Sequence, residues 1–269
     1  MSPVNVLIRR VAPGAFAAAL ALSFFAFYAY ETVEQPTNQI FGHTLTQGPS
    51  NARVVALTFD DGPNPPYTGR ILDVLERERV HATFFVVGQA AAAYPSIVRR
   101  EVRDGDAIGN HTWAHTHLIV MTRSQIRSSL SRTDAAIYRA AGLHTRLLRP
   151  PFGARDWLVM QAAKGMGYTV VMWSVPLARD WENPSPGVIA QRILPNVVDG
   201  SIIVLHDGNR GQLCTLQRLD RQVCDRASDI DATRLIVRAL KRQGYRFVTI
   251  PQLMSLRPAP TRKSVPEAE

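Results

Sequence analysis

The sequence predicts an α/β domain built on a parallel sheet of about seven strands, and three observations predict it. Short β-branched and aromatic runs alternate with helix-length segments from residue 53 to about residue 254. That alternation places crossover helices on the faces of a parallel sheet. The chain has 269 residues, 46% hydrophobic and 20% charged, enough for a full-sized core and too apolar for disorder. The residues most suited to chemistry also fall at the ends of the predicted strands, where α/β barrels carry their active sites.

Taken in order, residues 1–10 are the expected cytoplasmic end. Val11 to Tyr30 contains no charged residue, with Arg9 and Arg10 before it and Glu31 and Glu34 after. About 20 apolar residues can cross a bilayer, and the arginines hold the amino end in the cytoplasm. A membrane anchor is expected. A cleaved signal segment is the alternative, and Phe27 stands where a cleavage site needs a small residue. Either way the rest of the chain is expected outside the cytoplasm, in the periplasm or at the cell surface, or secreted after cleavage. Residues 31–52 are polar, with Pro, Gly and Asn, and predict a linker or a docked arm. The folded domain is expected over 53–256 and a disordered tail over 257–269, where three prolines interrupt any periodicity.

Within the domain, strands are predicted at 53–59, 83–87, 106–110, 146–149, 168–174, 201–205 and 246–249. Helices are predicted near 67–79, 95–103, 123–141, 155–166, 186–195 and 230–242. The helix after Thr122 is the best defined. Thr122-Arg123-Ser124-Gln125 reads as a capping box, and Ile126, Leu130 and Ile137 share one face. Patterning alone does not choose between an open sheet and a barrel.

The first strand runs into Asp60-Asp61-Gly62-Pro63. Neighbouring side chains on a strand point to opposite faces, so at a turning strand end two acids can address one cavity from different directions. Asp and Gly are also ordinary turn residues, and this stretch alone leaves both readings open. Further on, Gly109-Asn110-His111-Thr112-Trp113-Ala114-His115 spaces two histidines at i and i+4. On a helical turn that spacing puts both on one face. Two histidines at this spacing can also be only that, but two imidazoles and one carboxylate make a three-ligand metal set with open positions.

These two stretches resemble the first two motifs of the polysaccharide deacetylase family (the NodB-homology domain), and three more follow in the family's order. They are Arg149-Pro150-Pro151-Phe152-Gly153, Asp180-Trp181 and Ile203-Val204-Leu205-His206-Asp207. The resemblance covers about Arg53 to Met254 and implies an irregular (β/α) barrel of about seven strands. It implies a divalent metal held by Asp61, His111 and His115, zinc first, with cobalt, nickel, manganese or iron left open. It makes Asp60 the general base, oriented by Arg149, and His206 the general acid, tuned by Asp180. The backbone N–H of Phe152, where the family usually has Tyr, helps hold the oxyanion. Trp181 walls the groove, and Val204, where the family often has Leu, lines the acetyl pocket. The implied activity is hydrolysis of N-acetyl groups from amino sugars of an envelope or extracellular glycan, releasing acetate.

Three rivals are weighed against it. An amidohydrolase for small cyclic amides fits the barrel but not a Trp-walled groove on an exported chain. A non-catalytic glycan-binding module would not need both Asp60 and His206. A metal phosphoesterase commonly uses two metals and more carboxylates than appear here. The net charge of +9 suits anionic partners. Export argues for an anionic envelope polymer or a membrane surface rather than nucleic acid, and a basic surface that only keeps the chain soluble is the alternative. Cys214 and Cys224 are the two cysteines, and in an oxidising compartment they are expected to pair. His43, His81, His117 and His144 carry no assigned role, with a place behind the ligands as the alternative for His117, two residues past His115.

Overall fold

The structure is a computed structural model and describes residues 22–23, 32–209 and 224–256. The expected membrane span lies outside the described residues apart from Leu22 and Ser23, and so do Cys214 and the tail. No helix among the described residues is long and apolar enough to cross a membrane.

Seven strands form where the sequence places them: β1 (Val54–Asp60), β2 (Thr83–Val86), β3 (Ala107–Asn110), β4 (Leu147–Leu148), β5 (Thr169–Val170), β6 (Ile202–His206) and β7 (Arg246–Phe247). Every pairing is parallel. The order is β5-β4-β3-β2-β1-β6, with β7 beside the start of β1. The helices are α1 (Tyr67–Glu78), α2 (Gly88–Ala93), α3 (Pro95–Arg103), α4 (Arg123–Ala141), α5 (Trp157–Gly165), α6 (Pro186–Ile193), α7 (Ala227–Arg242) and α8 (Ile250–Ser255). Helices α2 and α8 are additions to the expected set. Each has six residues, too few for a 3.6-residue period to register. The capping box that starts α4 is present, with Thr122 accepting from the Gln125 N–H.

The sheet curls into a half-barrel, consistent with a (β/α) barrel. Among the described residues β5 and β6 do not pair directly. The gap between them is bridged by the segment before the domain. The Leu45 N–H donates to Val170 (2.8 Å), the Met172 N–H donates to Leu45 (2.7 Å), and the Gly48 N–H donates to Gly200 (2.8 Å). These contacts also explain why the fifth strand stops at Val170 rather than Ser174. Val171 bridges to Leu45 instead of to a regular strand.

The central strands are buried on both faces, and alternate residues enter different cores. Val54 and Ala56 of β1 and Ile202 and Val204 of β6 belong to one apolar cluster. Val55, Leu57, Phe59, Ile203 and Leu205 belong to the other, packed against α1 and α7. Burying a side chain of this size stabilises the fold by roughly 1.5–3 kcal/mol. The two clusters fix the register, because a one-residue slip would exchange them.

Candidate active site

The inward series of β1 is Val54, Ala56, Thr58, Asp60, and that of β6 is Ile202, Val204, His206. The strands pair Thr58 with Val204 and Asp60 with His206. Period-two geometry therefore delivers Asp60, Val204 and His206 to one cavity. Asp61 would face outward on a continued strand. It instead adopts φ 78°, which ends β1 and turns its carboxylate back to the same cavity. Gly62 is required next: a Cβ there would lie 2.0 Å from Asp207 Oδ2.

The two histidines do not sit on a helical turn as expected. They lie in an irregular loop after β3, with Thr112 at φ 69° and His115 at φ 53°. The loop is held by its neighbours rather than by helical bonds. Gly88 N–H donates to Thr112, Gln89 N–H donates to Trp113, and Trp113 N–H donates to Ser129 Oγ. The imidazoles still converge, with ring centroids 5.0 Å apart. Nδ1 of His111 lies 2.7 Å from the Arg149 carbonyl. A carbonyl only accepts, so Nδ1 carries a proton, and Nε2 is the atom turned toward the cavity. His111 Nε2 is 3.4 Å and His115 Nε2 3.1 Å from Asp61 Oδ1. Burial outweighs the pull of Asp61 and keeps His115 below the ordinary histidine range, neutral and able to ligate. Burial alone would raise Asp61, but His115 and His111 hold it well below the carboxylate range. Two imidazoles and a carboxylate held below its usual range, with ligand atoms within 4.8 Å of one another, are a donor set that could hold a divalent metal ion.

Arg149 is fully buried. Its Nη1 donates to Asp60 Oδ1 and Thr58 Oγ1, both at 2.7 Å, and Nε and Nη2 donate to the carbonyls of Val171 and Met172. Its guanidinium lies over the Phe85 ring, 4.1 Å from the centroid. This fixes Asp60 Oδ1 and leaves Oδ2 toward His111, 3.9 Å away. The residue after Pro151, Phe152, has φ 61°, and among the described residues its N–H has no acceptor. Its ring stacks on His117 at 3.8 Å and meets His115 edge-on at 4.6 Å. His117, whose alternative from sequence was a place behind the ligands, thus stacks on the ring that meets His115.

On the other side, Asp180 binds His206 twice. Its Oδ2 accepts the His206 backbone N–H at 2.7 Å, and Nδ1 donates to Oδ1 at 3.0 Å. Nε2 is left for the cavity. Burial opposes the charged imidazole, but Asp180, with smaller help from Asp61 and Asp60, pushes His206 up to about 9. Trp181 stands edge-on to His206 at 5.3 Å. Behind Asp180, buried Arg226 donates to its carbonyl at 3.3 Å, and Asp229 is held well above the carboxylate range by burial and by Asp180.

All ten site residues named from sequence converge here. Asp60, Asp61, His111, His115, Phe152, Trp181, Val204 and His206 line a cavity of about 250 Å³. Arg149 and Asp180 stand directly behind it. The sequence did not single out Thr58, Trp173, Leu177, Arg226 or Glu34. The period of β1 pointed to Thr58; nothing local marks Glu34, which reaches the cavity from the arm.

This fold and this site define a polysaccharide deacetylase. A profile of that description matches residues 47–171. A peptidoglycan-N-acetylglucosamine deacetylase of Bacillus cereus is 35% identical over 206 residues, 77% of this chain and 70% of the relative. A chitooligosaccharide deacetylase of Sinorhizobium fredii is 35% identical over 211 residues, 78% of this chain and 95% of the relative. A solved peptidoglycan N-acetylglucosamine deacetylase superposes with a TM-score of 0.70 at 34% identity, covering 78% of this chain and 92% of the other. The chain belongs to the polysaccharide deacetylase family and is a polysaccharide N-deacetylase.

Proposed function

We propose that this enzyme hydrolyses N-acetyl groups from amino-sugar residues of an envelope or extracellular glycan. The observation that supports it most is the convergence, around one cavity, of a three-donor metal set, a carboxylate anchored by arginine and a histidine anchored by aspartate. Asp61, His111 and His115 would hold a divalent ion, zinc first by its preference for such donors. When bound, the ion supplies Lewis-acid polarisation of the acetamide carbonyl.

The chain's own groups account for the rest. Asp60, held at Oδ1 by Arg149, takes a proton from the attacking water at Oδ2. The water oxygen bonds to the carbonyl carbon, and the Phe152 N–H donates to the carbonyl oxygen as negative charge grows on it. His206 gives the proton on Nε2 to the nitrogen as the C–N bond breaks, leaving acetate and a free amine. Asp180 keeps His206 protonated for that step. Val204 bounds the acetyl methyl group, and Trp181 bounds the sugar.

Export through residues 11–30, with the domain outside the cytoplasm, is part of the proposal, as is a Cys214–Cys224 disulfide. Acetate release from peptidoglycan, chitin oligomers and an acetylated exopolysaccharide tests the activity. Dialysis against a chelator is expected to abolish it, and added zinc to restore it. Full activity in metal-free protein refutes the metal set.

A further inference from the structure

The arm before the domain carries a device that lies outside the family match, which begins at residue 47. Arg155 is a buried guanidinium, 1% exposed, and among the described residues no carboxylate pairs with it. Burial alone lowers it, to about 10, so it stays cationic at neutral pH. Its donors go to backbone carbonyls: Nη1 to Gly153 (3.0 Å), and Nη2 to Gln35 (2.9 Å), Pro36 (3.2 Å) and Asn38. Its own N–H donates to Val33 at 3.2 Å. A buried cation is costly unless its donors are satisfied. Here the arm's carbonyls satisfy it, and the arm is thereby fixed against the loop that carries Phe152. At Gly153, φ 70°, a Cβ would lie 3.2 Å from the Glu34 carbonyl oxygen.

The fixed arm builds a second cavity, of about 410 Å³, beside the first. The two share Glu34, Phe152, Trp173 and Leu177. They are therefore neighbouring parts of one cleft, as successive units of a polymer require. The far wall is Pro36, Thr37 and Pro176. Glu34 is the one charged residue among those lining the second cavity. Among the described residues its carboxylate has no basic partner within ion-pair distance.

We infer that the arm forms a subsite for the sugar next to the one being deacetylated, and that Glu34 selects a neighbour bearing a free ammonium group. This rests on the proposed deacetylase function. Such a neighbour is the enzyme's own product, so deacetylation proceeds beside units already deacetylated. The same charge disfavours a neighbour carrying a carboxylate.

The test is equilibrium binding by calorimetry. The probes are fully acetylated chitotetraose and chitotetraose with a single free amine. The wild-type protein is expected to bind the amine-bearing oligomer about fivefold more tightly, the scale of a partly exposed ion pair. The preference should shrink at high salt. Glu34→Gln should erase it, and Glu34→Lys should reverse it. Equal wild-type affinities, or a preference that survives both variants, overturns the inference. Because the readout is binding, a protein that shows the preference but releases no acetate refutes the activity and leaves the subsite standing.

Discussion

Asp60 and Asp61 are adjacent, yet their surroundings assign them different work. Asp60 is tied to Arg149 at 2.7 Å, while Asp61 faces both histidines. Asp60→Asn is expected to keep bound metal and lower turnover by about 10²–10⁴-fold, the usual worth of a general base. Asp61→Asn should lose metal affinity and recover part of its activity in excess metal. Metal content and acetate release measured on both variants check the pair, and the opposite pattern reverses the assignment. His206 gives a pH prediction. Its pKa of about 9 depends chiefly on Asp180 once burial is overcome. A cation at the metal site offsets the share owed to Asp61 and Asp60, but not that of Asp180. Since the protonated form donates, activity should fall as pH rises through the His206 pKa. Asp180→Asn should move that alkaline limb to lower pH with metal content unchanged. An unmoved limb would show that His206 does not supply the proton.

Among the elements, the central strands were legible as short apolar runs buried on both faces, and the long helices by their apolar stripe. Val54, Ala56, Ile202 and Val204 alternate with Val55, Leu57, Ile203 and Leu205, and each set enters its own core. What was not legible depended on contacts far apart in the chain. The His111–His115 loop looks helical by spacing, but its shape is set by Ser129 on α4 and by Gly88 and Gln89 of α2. The strand β5 was expected, but its early end at Val170 and the bridging segment at Leu45 depend on one another, and nothing local marks either. Glu101 on α3 was also silent. It is fully buried, and burial first, then Asp207 and Asp106, hold it well above the ordinary glutamate range. A raised carboxyl contributes stability that is fully present below its unfolded pKa and is lost as pH rises toward the folded one. Glu101→Gln does not titrate. It should therefore gain on the wild-type protein between pH 5 and pH 8, by at most about 1.4 kcal/mol per pH unit. Urea midpoints at the two pH values measure this, and a constant gap contradicts it.

At the scale of the molecule, an exported chain should contain no free thiol. Alkylation before and after reduction, read by mass, is expected to label Cys214 and Cys224 only after reduction. Labelling without reduction would refute the pairing. Cys→Ser variants should lose stability more than turnover, because both cysteines lie outside the five motifs. The clamp of Arg155 on the arm has a further consequence, one of reach. Tyr30 closes the apolar span, and Glu34, already seated in the cleft, follows only four residues later. Four residues extend about 14 Å at most. A chain held in the bilayer by residues 11–30 would therefore have almost no slack between anchor and active site. Its cleft would work at a fixed height close to the lipid headgroups, on whatever part of a glycan passes through that thin layer.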